Sequence, residues 1–137
     1  MRILVTGAAG FIGSNLVDGL LAAGHEVRGL DNFSTGQRSN LAHVAEEIEV
    51  VEGDLRSYER VSFAVRGCDA VFHEGAMPSV PRSVQDPLTS SEINIGGTLN
   101  VLLAARDAGV RRVVFAYSSS VYVDAPGFPR VETQATS

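Results

Sequence analysis

The sequence predicts an α/β fold built on a doubly wound parallel sheet of five strands in the order 3-2-1-4-5. Two observations predict it. Short apolar runs alternate with longer amphipathic stretches along the whole chain, the pattern of strands joined by helical crossovers. A glycine-spaced turn, Gly7-Ala8-Ala9-Gly10-Phe11-Ile12-Gly13, stands between the first apolar run and the first amphipathic stretch. Right-handed crossovers and the precedent of dinucleotide-binding folds then give the strand order.

The elements follow in sequence. Ile3-Leu4-Val5 is a short run suited to a buried parallel strand. Phe11 to Ala23 shows helical spacing through Ile12, Leu16 and Leu20 and stops at Gly24. Glu26 to Leu30 reads as the second strand, closed by Asp31-Asn32. A short helix is expected over 40–46, a third strand over 48–51, a helix over 58–65 and a fourth strand over 70–73. Proline punctuation makes 77–87 a loop, and a long helix is expected over 91–108, stopped by Gly109. The fifth strand is expected over 112–117. Pro126, Gly127 and Pro129 make 124–137 an irregular tail. The 137 residues are expected to form a single domain with one core.

Composition narrows the function. A net charge of −5 argues against a nucleic-acid binder, which needs a basic face. Cys68 is the only cysteine, so no disulfide framework or cysteine-based metal site is expected. His25 and His43 lack ligand-spaced partners, and no metal site is expected. The chain begins in a strand with no charged leader, and no apolar stretch approaches the ~20 residues that span a bilayer. A cytoplasmic protein without membrane contact is therefore the expectation. All 11 basic residues are arginine. An arginine cannot serve as a Schiff-base amine or a tunable general base.

Between a strand and a helix, Gly7, Gly10 and Gly13 would permit a tight turn and close approach of backbone N–H groups to a pyrophosphate. Asp31 closes the second strand, where a carboxylate accepts from adenosine ribose hydroxyls and repels a 2′-phosphate, favouring NAD over NADP. Asp54 closes the third strand on the same edge. It would either accept from the adenine amino group or cap the following helix. His73 reads as a packing histidine and Glu74 as an orienting carboxylate; Arg111-Arg112 reads as a solvated turn.

With these residues placed, the chain resembles the extended short-chain dehydrogenases/reductases of the NAD-dependent epimerase/dehydratase family. The resemblance rests on residues 5–13, on Asp31-Asn32-Phe33-Ser34-Thr35-Gly36 and on Gly53-Asp54-Leu55. It continues through Val71-Phe72-His73, Ser79-Val80-Pro81-Arg82-Ser83, Asn94-Ile95-Gly96-Gly97-Thr98 and Ser118-Ser119-Ser120-Val121-Tyr122. It implies a Rossmann domain binding NAD, without the family's later strands and C-terminal substrate domain. Gly7, Gly10, Phe11, Ile12 and Gly13 would hold the pyrophosphate. Asp31, Asn32, Ser34, Thr35 and Gly36 would surround the ribose, Asp54 and Leu55 would line the adenine pocket, and Gly75, Ala76 and Asn94 would border the nicotinamide. Ser118 would hydrogen-bond the sugar hydroxyl undergoing oxidation.

The run 79–87 is similar to that of epimerases acting on UDP-hexoses and their N-acetylated or uronic-acid relatives, so a UDP-sugar is the implied substrate. Related dehydratases carry an Asp-Glu pair where Ser119-Ser120 stand, which disfavours dehydration. Family dimers use the long helix after strand four, implying a homodimer through 91–108.

The resemblance also implies a Tyr-x-x-x-Lys pair beyond Ser137. The residues four positions after Tyr58, Tyr117 and Tyr122 are Ser62, Val121 and Pro126, so no tyrosine here has a cation one turn away. By itself the chain is expected to hold cofactor without catalysing epimerisation. A non-catalytic NAD-binding module or a non-functional remnant are the alternatives. Tyr117 and Val123 replace a typical Ser and Gly, a bulky Val being a source of strain where the backbone turns sharply.

Overall fold

The structure, a computed structural model, describes residues 1–122 and 126–136. Strands β1 (Arg2–Thr6), β2 (Glu26–Asp31), β3 (Glu49–Glu52), β4 (Ala70–His73) and β5 (Arg112–Phe115) form one sheet in the order β3-β2-β1-β4-β5. Every pairing is parallel. The expected order stands.

Alternation along β1 sends Leu4 and Val5 to opposite faces. Leu4 joins Leu30, Val51 and Val71 beneath α2 (Tyr58–Val65) and α5 (Gly97–Asp107), through Val61, Val65, Val101 and Ala104. Val5 joins Val27 beneath α1 (Phe11–Ala22) and the 3₁₀ segment Arg38–Val44, through Val17, Leu41 and Val44. Helical cover on both faces lets the central strands be apolar throughout. The two cores meet only across the sheet.

Arg28 on β2 ties the edge strand β3 to the end of α2. Its Nε donates to Glu49 Oε2 at 2.8 Å, and its Nη1 donates to the carbonyls of Ala64 and Arg66 at 2.7 Å each. A cation thus satisfies carbonyls at the C-terminus of α2, where the helix dipole favours positive charge.

Several expected boundaries move. The helix over 40–46 is the 3₁₀ segment at 38–44. The loop over 77–87 contains α3 (Val80–Gln85), because Ser79 Oγ accepts from Arg82 N and Pro81 sits in the first turn, where no N–H is required. The long helix begins at Pro87 as α4 (Pro87–Ser91), capped by Asp86 Oδ1 accepting from Thr89 N at 3.1 Å. It runs through a π-turn, Glu92–Gly96, into α5. Asp86-Pro87 was a legible start signal; the π-turn was not.

β5 ends at Phe115 rather than 117, and Tyr117 lies outside the strand with its ring edge-on to Phe115 at 6.0 Å. Arg112 is the first residue of β5 rather than part of a turn, while remaining exposed. Val123 lies outside the described residues, as do 124, 125 and 137 of the expected tail. The described tail residues are turns and coil, with no helix or strand.

Candidate functional site

A cleft of ≈ 500 Å³ opens over the C-terminal ends of the strands, where doubly wound sheets bind ligands. Gly7, Gly10, Phe11, Ile12, Gly13, Asp31, Asn32, Ser34, Thr35, Gly36, Asp54, Leu55, Gly75 and Ala76 all line it. Leu30, Gly53, Glu74, Met77, Pro78, Arg82 and Ile93 also line it, beyond the residues expected from the sequence. Arg82 and Pro78 belong to the segment expected as loop, and Ile93 to the π-turn; neither local shape was visible in the residue pattern.

The turn after β1 is shaped by space as well as by conformation. Gly7 adopts φ +66°, and a Cβ there would lie 2.8 Å from Gly75 Cα. A Cβ at Gly13 would collide with the Gly7 carbonyl oxygen, so the first turn of α1 presses onto the loop only without a side chain. Gly7 N donates to Leu30 O at 2.8 Å and Gly10 N to Gly7 O at 3.1 Å. The N-terminus of α1 has no side-chain cap and no acidic residue in its first turn. Its free N–H groups and positive dipole end face the cleft, an arrangement that favours an anion.

Asp31 is only 8% exposed, and both carboxylate oxygens are engaged. Oδ2 accepts from Ala9 N at 2.9 Å and Oδ1 from Phe33 N at 2.8 Å. The carboxylate therefore clamps the glycine loop to the turn after β2. Each oxygen keeps a lone pair for a further donor. Asn40, which the sequence reading passed over, reinforces the clamp: its Nδ2 donates to Ala9 O at 2.8 Å, and Gln37 N reaches the same carbonyl at 3.0 Å.

For Asp54 the capping alternative fails. Ser57 caps α2, accepting from Arg60 N at 3.3 Å. Asp54 instead accepts from Arg56 N at 2.9 Å and from the Arg56 guanidinium through both oxygens, at 3.1 and 2.7 Å. These bonds hold its carboxyl below the usual range. Glu74 moves the other way, raised by burial. Asp54 and Glu74, on the same cleft, thus sit in opposite electrostatic environments.

Asn94 is set back from the cleft wall. Its Oδ1 accepts from Met77 N at 2.8 Å and its Nδ2 donates to Met77 O at 3.1 Å, bracing the wall from behind. Ser118 follows β5 and is exposed; its hydroxyl donates to Ser120 Oγ at 3.0 Å and it does not line the cleft. His73 is buried, as its packing role requires, between the hydroxyls of Thr6 and Thr98. His43 pairs with Asp18 at 2.7 Å, and no group of metal ligands occurs among the described residues. No helix among the described residues is long and apolar enough to cross a membrane.

These features fit a dinucleotide: a cradle that a Cβ would fill, an uncapped helix N-terminus and a carboxylate at the second strand end. The match to known proteins agrees. A UDP-glucose 4-epimerase of Mycolicibacterium smegmatis is 46% identical over 136 residues, covering 96% of this chain and 44% of the relative. The structure of a UDP-glucose-4-epimerase from Stenotrophomonas maltophila, with bound NAD and formylated UDP-arabinopyranose, superposes with a TM-score of 0.91 at 34% identity. That comparison covers 100% of this chain and 43% of the other. A dTDP-glucose 4,6-dehydratase from Streptomyces venezuelae, solved with NAD, gives 0.89 at 38% identity over 100% of this chain and 45% of its own. This chain therefore spans less than half the length of each. The model of the NAD dependent epimerase/dehydratase family matches residues 3–137, and the chain belongs to that family.

Proposed function

We propose that the chain binds NAD in this cleft as the cofactor-holding part of a nucleotide-sugar 4-epimerase. The observation that carries the reading is the union of the Gly7–Gly13 loop, the uncapped α1 N-terminus and Asp31 on one wall. The loop N–H groups would hold the pyrophosphate. Asp31, with Asn32, Ser34, Thr35 and Gly36, would hold the adenosine ribose and repel a 2′-phosphate. Asp54 and Leu55 would border the adenine, and Gly75, Ala76 and the wall braced by Asn94 the nicotinamide. When bound, NAD supplies a reversible acceptor for hydride from a sugar carbon.

The chain's own contribution to proton transfer is limited. Ser118 would hydrogen-bond the sugar hydroxyl of a UDP-hexose. Residues 1–137 contain no lysine, so the base and its cation would have to come from outside them. Epimerisation is favoured over dehydration because Ser119-Ser120 supply no carboxyl for general acid–base elimination. The lysine-free composition also supports a second reading, a non-catalytic NAD module. The coding sequence downstream of Ser137 separates the two: a Tyr-x-x-x-Lys pair there supports the epimerase, while saturable NAD binding by a protein without that pair supports the module.

A homodimer is part of the proposal. Leu88, Ile95, Leu99 and Leu102 are exposed along α4, the π-turn and α5, forming an apolar row on that long helix. Sedimentation equilibrium is expected to give a dimer that Leu99→Glu converts to monomer. For the cofactor itself, calorimetric titration is expected to show saturable NAD binding and at least about tenfold weaker NADP binding, from one like-charge contact worth ~1.4 kcal/mol. Absence of heat at millimolar NAD would reject the site.

A further inference from the structure

From the cleft wall inward runs a chain of buried and half-buried polar groups that cofactor contact does not explain. Thr6 is fully buried at the end of β1, and His73 is 6% exposed at the end of β4. Thr6 Oγ1 lies 2.7 Å from His73 Nδ1, and His73 Nε2 lies 3.0 Å from Thr98 Oγ1. At one end, Gly75 N donates to Thr6 Oγ1 at 3.0 Å. At the other, the Thr98 hydroxyl donates to the Asn94 carbonyl at 2.7 Å.

The hydrogens can be assigned from the ends inward. A carbonyl only accepts, so the Thr98 hydroxyl hydrogen points at Asn94, and its oxygen is free to accept from His73 Nε2–H. A neutral imidazole carries one N–H, so Nδ1 is then an acceptor and takes the Thr6 hydroxyl hydrogen. Thr6 Oγ1 is left to accept from Gly75 N–H. One tautomer satisfies every group, and among the described residues no buried side-chain nitrogen or oxygen lacks a partner. A hydrogen on Nδ1 would oppose the Thr6 hydroxyl and break the sequence of donors.

One end of this relay, Gly75, is part of the cleft wall, and the other, Asn94, braces that wall from behind. Gly75 lines the cleft and sits so close to Gly7 that a Cβ at Gly7 would be 2.8 Å from its Cα. A shift of Gly75 therefore moves the phosphate loop. Asn94 belongs to the π-turn, whose Ile93 also lines the cleft, and its side chain grips Met77 through both backbone groups. π-turns inside helices concentrate at functional sites. Here the extra residue in the turn brings a carbonyl and an amide side chain to bear on one wall.

We propose that His73 is a positioning residue, held as the Nε2–H tautomer between Thr6 and Thr98 so that Gly7, the 75–77 wall and the π-turn keep one register for the dinucleotide. The proposal rests on the cofactor reading above and deepens it. His73 touches no ligand; it acts through Gly75 and Asn94. Burial pushes its imidazole pKa down, which keeps the neutral form in place at physiological pH.

Nitrogen-15 NMR of the cofactor-free protein tests the relay first, with His73→Gln identifying the signal among the three histidines. The expected result at pH 7 is a protonated Nε2 and an unprotonated, hydrogen-bonded Nδ1. NAD titration of Thr98→Val and Thr98→Ser tests what the relay does. Val keeps the shape and removes the hydroxyl; it is expected to weaken NAD binding about tenfold, the effect of one buried donor left without a partner. Ser keeps the hydroxyl and is expected to restore affinity to within about twofold of wild type.

An Nδ1–H or doubly protonated His73 at pH 7 would overturn the assignment. So would Thr98→Val binding NAD like wild type, or Ser binding as weakly as Val. Failure of the wild-type protein to bind NAD would reject the cofactor reading instead, and the nitrogen signals, read without NAD, would still judge the tautomer.

Discussion

The two halves of the sheet are finished to different degrees. Across β2 and β1 the sheet carries an apolar cluster on each face, while β3 is itself an edge strand with Val51 buried and Val50 39% exposed. Asp31 and Asn40 tie the glycine loop to the segment after β2, and Arg28 ties β2 to β3 and to the end of α2. At the other side β5 is an edge strand whose Val114 and Phe115 are 41% and 55% exposed. Val113 packs onto the α2–α5 core, but among the described residues no helix covers Val114 on the opposite face. The difference bears on the site: the glycine loop and Asp31 line the cleft beside β1 and β2, while Ser118 follows the open edge strand and does not line it.

The largest expected effect breaks the finished half at its tightest point. Gly13→Val would drive a side chain into the Gly7 carbonyl, which is backbone and cannot rotate away. Overpacking of this kind costs roughly 1–3 kcal/mol, so calorimetry is expected to show NAD affinity reduced about 10- to 100-fold. Arg28→Met sharpens the contrast by attacking the same half away from the cleft. Removing the cation that serves Ala64 O and Arg66 O is expected to lower unfolding free energy by about 2 kcal/mol in urea, with NAD affinity of the folded protein unchanged.

Asp31→Asn tests the double use of that carboxylate. An amide presents N–H to Ala9 N–H or Phe33 N–H, so one bond becomes a repulsion. NAD binding is expected to weaken about tenfold and melting to fall, with no gain of NADP binding, because the loop is deformed rather than opened. A switch in preference to NADP at unchanged stability would show that Asp31 acts on the ribose alone.

Acidification probes the seam between the halves. His73 has its pKa depressed by burial, so the unfolded chain binds the proton first as pH falls below about 6.5. Stability is therefore expected to be level above that pH and to decline below it, towards the depressed folded value. Urea melts at stepped pH should show the decline, and His73→Gln should reduce it. The smallest effect is expected at the open edge: Phe115→Ser should change stability by less than about 0.5–1 kcal/mol, since the ring is half exposed, while reducing self-association in light scattering.

Much of this contrast was legible in the residues. Strand order followed from crossover rules, and the glycines and Asp31 were placed by spacing because strand–turn–helix context fixes what such residues do. An acid after a strand looks the same in sequence whether it caps or not, so Asp54 is compatible with two roles; in the structure Ser57, three residues on, takes the cap. The Thr6–His73–Thr98 relay was out of reach, since its members are 67 and 25 residues apart and meet only after the sheet forms. The π-turn was hidden for a related reason: its one-residue shift leaves apolar spacing almost intact. Helix α3 is hidden in the sequence because Pro81 has the look of a breaker, although a proline in the first turn loses no bond.

The cofactor site is expected to lie wholly over the ends of β1 to β4 and to be independent of the β5 edge. Backbone amide chemical-shift mapping during NAD titration tests it most directly. The account predicts shifts at residues 7–13, 31–36 and 75–77 that saturate together, with Val113, Val114 and Phe115 unmoved. Perturbation confined to β5 and Ser118, or none at millimolar NAD, would contradict it.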